Sequence, residues 1–125
     1  MQTGGAEYGL NEETAAYVIN LLFPRTTSST AINIGDLMII GIPGELTAEL
    51  GQEIKRKVLD KTDIYYVTIG GLADEWISYM LSKEEYEKGG YEASVSFYGP
   101  TLGPLVVDRI VDAATSFQLQ YLAKN

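Results

Sequence analysis

A chain of 125 residues with a formal net charge of −8 is poorly matched to a nucleic-acid backbone or an anionic membrane surface, because like charges repel. It contains neither histidine nor cysteine, which excludes a self-contained Ser-His-Asp triad, a His-ligated zinc site, a disulfide frame and a thiolate metal site. Its 46% apolar and 21% charged residues suit one ordinary globular domain that can bury a core, and its apolar runs fall well short of the roughly 18 residues that span a membrane.

The opening stretch "MQTGGAEYGLNEET" is polar and acidic and lacks the apolar centre of a signal peptide. Asn11 then offers an N-cap. Glu12 and Glu13 stand in the first turn, and Ala15, Val18, Ile19 and Leu22 follow at helical spacing until Pro24 stops the helix. After the polar loop "RTTSST", the run "TAINIGDLMIIGIP" predicts a β-hairpin turning at Gly35-Asp36. From Leu46 the period changes. Leu46, Leu50, Ile54 and Val58 recur every fourth residue and predict an amphipathic helix, with Glu45, Glu49 and Glu53 early and Lys55, Arg56 and Lys57 late, as the helix dipole favours.

Asp63 leads into "IYYVTIGG", a continuous β-rich run of the kind expected for a strand covered on both faces. In "LADEWISYMLSKEEYEKGGYEASVSFYG" a short helix is predicted near Ser82 to Glu87, with Ser82 and Glu85 as a capping box, and the rest reads as loop or irregular strand. The last element, about Thr101 to Ala123, carries Leu102, Val106, Ile110, Ala114, Phe117 and Tyr121 as an apolar stripe and is expected to lie on the sheet.

This order predicts an α/β fold with a mixed β-sheet, containing a β-hairpin, a strand-loop-helix-strand crossover and a long C-terminal helix, with residues 1–125 as a single domain. Ligands of such sheets sit beyond the carboxyl ends of the strands. Those ends are Ile42 to Glu45 and Ile69 to Trp76, so both loops are expected to face one crevice.

Within that crevice Glu45 has two readings. It is either an acid stabilising a helix N-terminus or an oxygen donor aimed at a metal or substrate. The chain has nine tyrosines, and Tyr79, Tyr86, Tyr91 and Tyr98 fall close together. Tyrosine packs well at half-exposed surfaces, yet a phenol can also donate to an oxyanion or ligate a metal. Trp76 is expected in core or interface. The run "SKEEYEKGG" is expected as a solvated helix edge, and "IGGL" is a weak phosphate-binding pattern at best.

Taken together, "IGDLMIIGIPGELTAELGQEIK" and "VTIGGLADEWISYMLSKEEYEKGGYEASVSFYGP" resemble the C-terminal part of the catalytic domain of the neutral/alkaline (non-lysosomal) ceramidases, over about residues 33 to 101. That family carries Pro-Gly-Glu-[Phe/Leu]-Thr between a strand and a helix, a Thr/Ser-x-Glu-Glu-Tyr helix start, and a segment opening Tyr-Glu-[Gly/Ala] and closing Tyr-Gly-Pro. The resemblance implies zinc as cofactor, held by two histidines, a glutamate and a tyrosine. The matching positions here are Glu45 and Tyr79 as metal ligands. It implies Tyr91 as the catalytic tyrosine that holds the scissile carbonyl or its oxyanion.

Two departures stand out: the family's histidine ligands and its serine-bearing segment have no counterpart here, and "LADEWISY" differs from Leu-Ala-Asn-x-Tyr. The resemblance therefore implies a C-terminal fragment of a zinc-dependent amidohydrolase, acting on the N-acyl bond of ceramide or a related lipid amide and inactive alone. Its partners would be the N-terminal remainder of the same catalytic domain and, in the intact enzyme, the lipid amide substrate, with self-association through exposed fragment surfaces. No nucleic acid is expected. Two other readings stay open: a non-enzymatic small α/β binding or oligomerisation domain, and a carboxylate-only hydrolase pairing Glu45 with Asp74 or Glu75.

Overall fold

The computed structural model describes residues 12–22, 24–73 and 75–122. The first helix, α1 (Glu12–Leu22), follows the predicted boundaries; its expected cap, Asn11, and the side chains of Ala15 and Ile19 lie outside the described residues. Among its described side chains Leu21 and Leu22 are exposed and Val18 is half-buried. Next come β1 (Thr30–Ile34) and β2 (Leu37–Gly41), paired antiparallel with Ile34 opposite Leu37. The two-residue turn has Gly35 at φ 60°, and a glycine at the first central position is what a type II′ hairpin turn requires.

Two residues, Glu45–Leu46, then form the short strand β3 before α2 (Ala48–Lys61) begins at its N-cap Thr47. The predicted stripe is right from Leu50 onwards: Leu50, Ile54 and Val58 are buried, while Leu46 packs on the core from β3. The chain returns as β4 (Tyr66–Gly70), parallel to β2, with Leu37 opposite Tyr66 and Gly41 opposite Gly70. A helical crossover between adjacent parallel strands is the expected unit. The resulting sheet has the order β1-β2-β4 and is mixed, as predicted.

One expectation fails here. β4 is covered on one face only: Val67 and Ile69 turn toward the helices, whereas Tyr66 is 68% exposed. A β-branched and aromatic run satisfies a half-exposed edge strand as readily as a buried one, because the tyrosine hydroxyl keeps its contact with water.

The next segment holds the predicted short helix, α3 (Lys83–Lys88), and, in the part read as loop or irregular strand, β5 (Tyr79–Met80) and α4 (Tyr91–Ser94). α3 starts with the predicted capping box, in which the Ser82 hydroxyl accepts from the Glu85 N–H and the Glu85 carboxylate accepts from the Ser82 N–H. β5 pairs in parallel with β3, away from the main sheet.

Finally α5 (Leu102–Leu122) closes the structure. It packs chiefly on α2 rather than on the sheet, through Val107, Ile110 and Val111 against the stripe of α2. Gly103 permits the close approach, since a Cβ there would lie 2.1 Å from the Leu81 carbonyl oxygen and 2.6 Å from a methyl of Leu50. The side chains of Phe117 and Tyr121 lie outside the described residues.

Candidate active site

The Pro-Gly-Glu stretch explains itself once its neighbours are in place. Pro43 and Gly44 are buried, and a Cβ on Gly44 would sit 2.6 Å from the Ser78 carbonyl oxygen. Only glycine lets the two backbones approach this closely. The loops at the carboxyl ends of β2 and β4 are then stitched together into one floor. The Leu72 N–H donates to the Gly44 carbonyl at 3.0 Å, the Ala73 N–H to Ile42 at 2.9 Å, and the Ile77 N–H to Pro43 at 2.7 Å.

Beyond this floor the chain turns into β3. Glu45 is thus not the first acid of a helix. Thr47 caps α2, and the acid in its first turn is Glu49. The strand pairing instead sets Glu45 directly opposite Tyr79, and the Glu45 N–H is held by the Ser78 carbonyl at 3.1 Å.

The three residues singled out in the sequence come together here. Hydrogen bonding to the Glu45 carboxylate, helped by partial burial, pushes the Tyr79 phenol up to about 12. The ring of Tyr91, from α4, meets the Tyr79 ring edge-on, with centroids 5.8 Å apart and planes at 78°. Glu45 Oε1 accepts from the Trp76 indole N–H at 3.1 Å. Trp76 is therefore neither core nor simple packing surface. It is 45% exposed and holds one oxygen of the carboxylate that also bonds the Tyr79 phenol.

Glu75, a partner offered to Glu45 in the alternative hydrolase, is engaged by other groups. Its carboxylate takes the Thr27 hydroxyl at 2.5 Å and lies near Tyr98, whose phenol is raised first by burial and then by Glu75. Asp74 lies outside the described residues. Tyr98 itself is structural, donating to the Pro24 carbonyl at 2.8 Å.

Three polar residues that pattern reading passed over, Thr47, Ser78 and Ser96, support the site together with Glu85 of the capping box. The Thr47 hydroxyl donates to Glu85 at 2.8 Å, which joins the start of α2 to the cap of α3. Burial pushes the Glu85 carboxyl up, but hydrogen bonds from Ser82 and Thr47 outweigh it and leave the group below its ordinary range. Ser78 is fully buried with φ 99°, a region that L side chains rarely adopt. Its hydroxyl, together with that of Ser96, ties β5 to the exit of α4. No periodic signal marks such residues; only the serines' place beside a crevice strand would have drawn attention to them.

As for metals, among the described residues no three His, Cys, Asp or Glu side chains cluster closely enough to hold one. Glu45 and Tyr79 are two adjacent oxygen donors, and catalytic zinc takes three protein ligands and a water. The donor chemistry fits zinc in kind but not in number.

Comparison with known proteins resolves which family built this crevice. Residues 13–106 match the family described as neutral/alkaline non-lysosomal ceramidase, N-terminal. The chain belongs to this ceramidase family. It is 32% identical over 98 residues to neutral ceramidase of Pseudomonas aeruginosa, covering 76% of this chain and 15% of that protein. It is 31% identical over 86 residues to neutral ceramidase 1 of Arabidopsis thaliana, covering 62% and 11% respectively.

The crystal structure of the Pseudomonas aeruginosa neutral ceramidase superposes with a TM-score of 0.67 at 29% identity, over 72% of this chain and 15% of that one. A ceramidase complexed with C2 gives the same TM-score at 28% identity, over 72% and 14%. This ceramidase-family chain thus corresponds to about one seventh of the length of these relatives.

Proposed function

We propose that this chain supplies one wall of the catalytic centre of a zinc-dependent amidohydrolase that cleaves the N-acyl bond of ceramide or a related lipid amide, and that it is inactive alone. In this reading it forms the C-terminal part of the catalytic domain, and the N-terminal remainder brings the missing donors. The observation that carries it is the meeting of Glu45, Tyr79 and Tyr91 where β3, β5 and α4 converge.

Glu45 and Tyr79 would hold zinc, which when bound polarises the scissile carbonyl or lowers the pKa of a bound water. Tyr79 is protonated at neutral pH in this chain, so ligation would release its proton. Tyr91, 67% exposed at the crevice, would donate its hydroxyl to the negative charge developing on the carbonyl oxygen.

A second observation supports a partner polypeptide over a free-standing binding module. Among the described residues the outer face of the sheet is largely apolar and uncovered. Ile34, Leu37 and Tyr66 form one cross-strand row, with Ile32 and Ile39 beside it, and Ile34 is 61% exposed. Such contiguous apolar surface normally faces another layer of protein.

The test is complementation. The chain is co-expressed with the Pseudomonas aeruginosa neutral ceramidase from which the matching segment has been removed, and ceramide hydrolysis is assayed. Activity should need both polypeptides, and Tyr91→Phe should lower kcat of the complex by about 10²–10³-fold, as for loss of one oxyanion donor. Zinc titration of the chain alone should show no tight site. Nanomolar zinc affinity, or hydrolysis by the chain alone, would sink the incomplete-site reading. A tight dimer burying Trp76 and the tyrosines would favour the oligomerisation domain instead.

A further inference from the structure

We propose that Ser78 and Ser96 form a buried clasp that sets the separation of Tyr79 and Tyr91, and so act as positioning residues for the site. This rests on reading Glu45, Tyr79 and Tyr91 as one site, and assigns roles to two side chains that are buried in protein rather than open to the crevice.

The need for a clasp follows from α4. It is a single turn of four residues, and Gly90 at its N-cap makes no side-chain capping bond. One helical turn is not stable by itself, so the direction of Tyr91 depends on what anchors the exit of the turn. That exit is Val95, whose N–H donates to the Tyr91 carbonyl at 3.2 Å. The Ser78 hydroxyl donates to the Val95 carbonyl and accepts from the Phe97 N–H at 3.3 Å. In return the Ser96 hydroxyl donates to the Tyr79 carbonyl at 2.8 Å. The two serines thus bond reciprocally across the gap between β5 and the α4 exit.

Ser78 is also the link to the third site residue. Its carbonyl accepts from the Glu45 N–H at 3.1 Å. One residue therefore joins the strand of the carboxylate to the turn of Tyr91, with Tyr79 adjacent in sequence. Its backbone makes the role separable from folding. At φ 99° glycine is the residue of least strain, yet glycine lacks the hydroxyl that the clasp uses. A serine here keeps a function that glycine would lose.

The experiment uses the full chain and reads the Tyr79–Tyr91 ring contact by nuclear Overhauser effects, with a thermal unfolding midpoint as control. Ser78→Gly should keep or raise the midpoint and lose the cross-ring signals, with the Tyr91 ring resonances moving to solvent-exposed values. Ser96→Ala should weaken the same signals, and Ser96→Thr, which keeps the hydroxyl, should retain them. Unchanged cross-ring signals in Ser78→Gly overturn the proposal. Unfolding of both Ser78→Gly and Ser96→Ala also overturns it, since the serines would then be determinants of the fold. Hydrolysis is not read in this experiment, so its failure leaves the proposed activity standing, and a silent complementation assay leaves the clasp standing.

Discussion

The layer of β1, β2, β4, α2 and α5 is held by apolar side chains at regular spacing, whereas the stretch from Gly71 to Gly99 adds Ile77 and Met80 to that core and is otherwise held by hydrogen bonds between individual polar groups. In the first region each buried residue has many substitutes, because burial is non-directional and scales with area. In the second, Trp76, Ser78, Ser82, Glu85 and Ser96 each satisfy a named donor or acceptor, and a directional bond has few substitutes. The site residues belong to the second kind of structure, or sit where it meets the first. Stability and site geometry are therefore separable in this chain, and mutation should divide them.

The largest effect should come from the regular layer. Ile54→Ala removes a fully buried side chain where α2 meets the rest of the core, and should cost about 2–5 kcal/mol in denaturant unfolding. A cost below about 0.5 kcal/mol, the range of ordinary surface substitutions, would break the distinction between the regions. Next comes Ser82→Ala, which removes the hydroxyl half of the capping box and should cost about 1 kcal/mol. It should also perturb the Glu85–Thr47 bond that links α3 to α2, visible as a shift of the Thr47 and Glu85 resonances.

The smallest effect on stability, and the sharpest on the site, concerns pH. The folded Tyr79 pKa, about 12, lies above its unfolded value. Its contribution to stability is therefore fully present below about pH 10 and is lost as pH rises through the folded value. Glu45→Gln should bring the late-ionising phenol back toward its ordinary range, read as phenolate absorbance, while the unfolding midpoint at neutral pH stays nearly unchanged. A phenol that still ionises last in Glu45→Gln would show that burial, not the carboxylate, governs it.

Much of this was readable before any coordinates. The hairpin turn at Gly35-Asp36, the stripe of Leu50, Ile54 and Val58, and the Ser82-Glu85 capping box follow from local rules, and local rules need only neighbours in sequence. Linked motifs also picked out Glu45, Tyr79 and Tyr91, which lie beside one another in the structure. The errors have a common origin. The full burial expected of β4 and the place of α5 on the sheet both depend on what packs against each element. Periodicity describes the element alone.

The order of residues dictated where the chain would bend into helix and hairpin, because those choices are made by side chains a few positions apart. It also dictated which chemistry was out of reach, since no fold can supply an imidazole or a thiol that the polypeptide lacks. Packing in three dimensions decided where Glu45 stands. A carboxylate ahead of a helix lies in its first turn or outside it according to whether the backbone enters the helix at once or first pairs as a strand. Here Gly44 meets the Ser78 carbonyl and β3 pairs with β5, a long-range contact that turns the acid toward Trp76 and Tyr79.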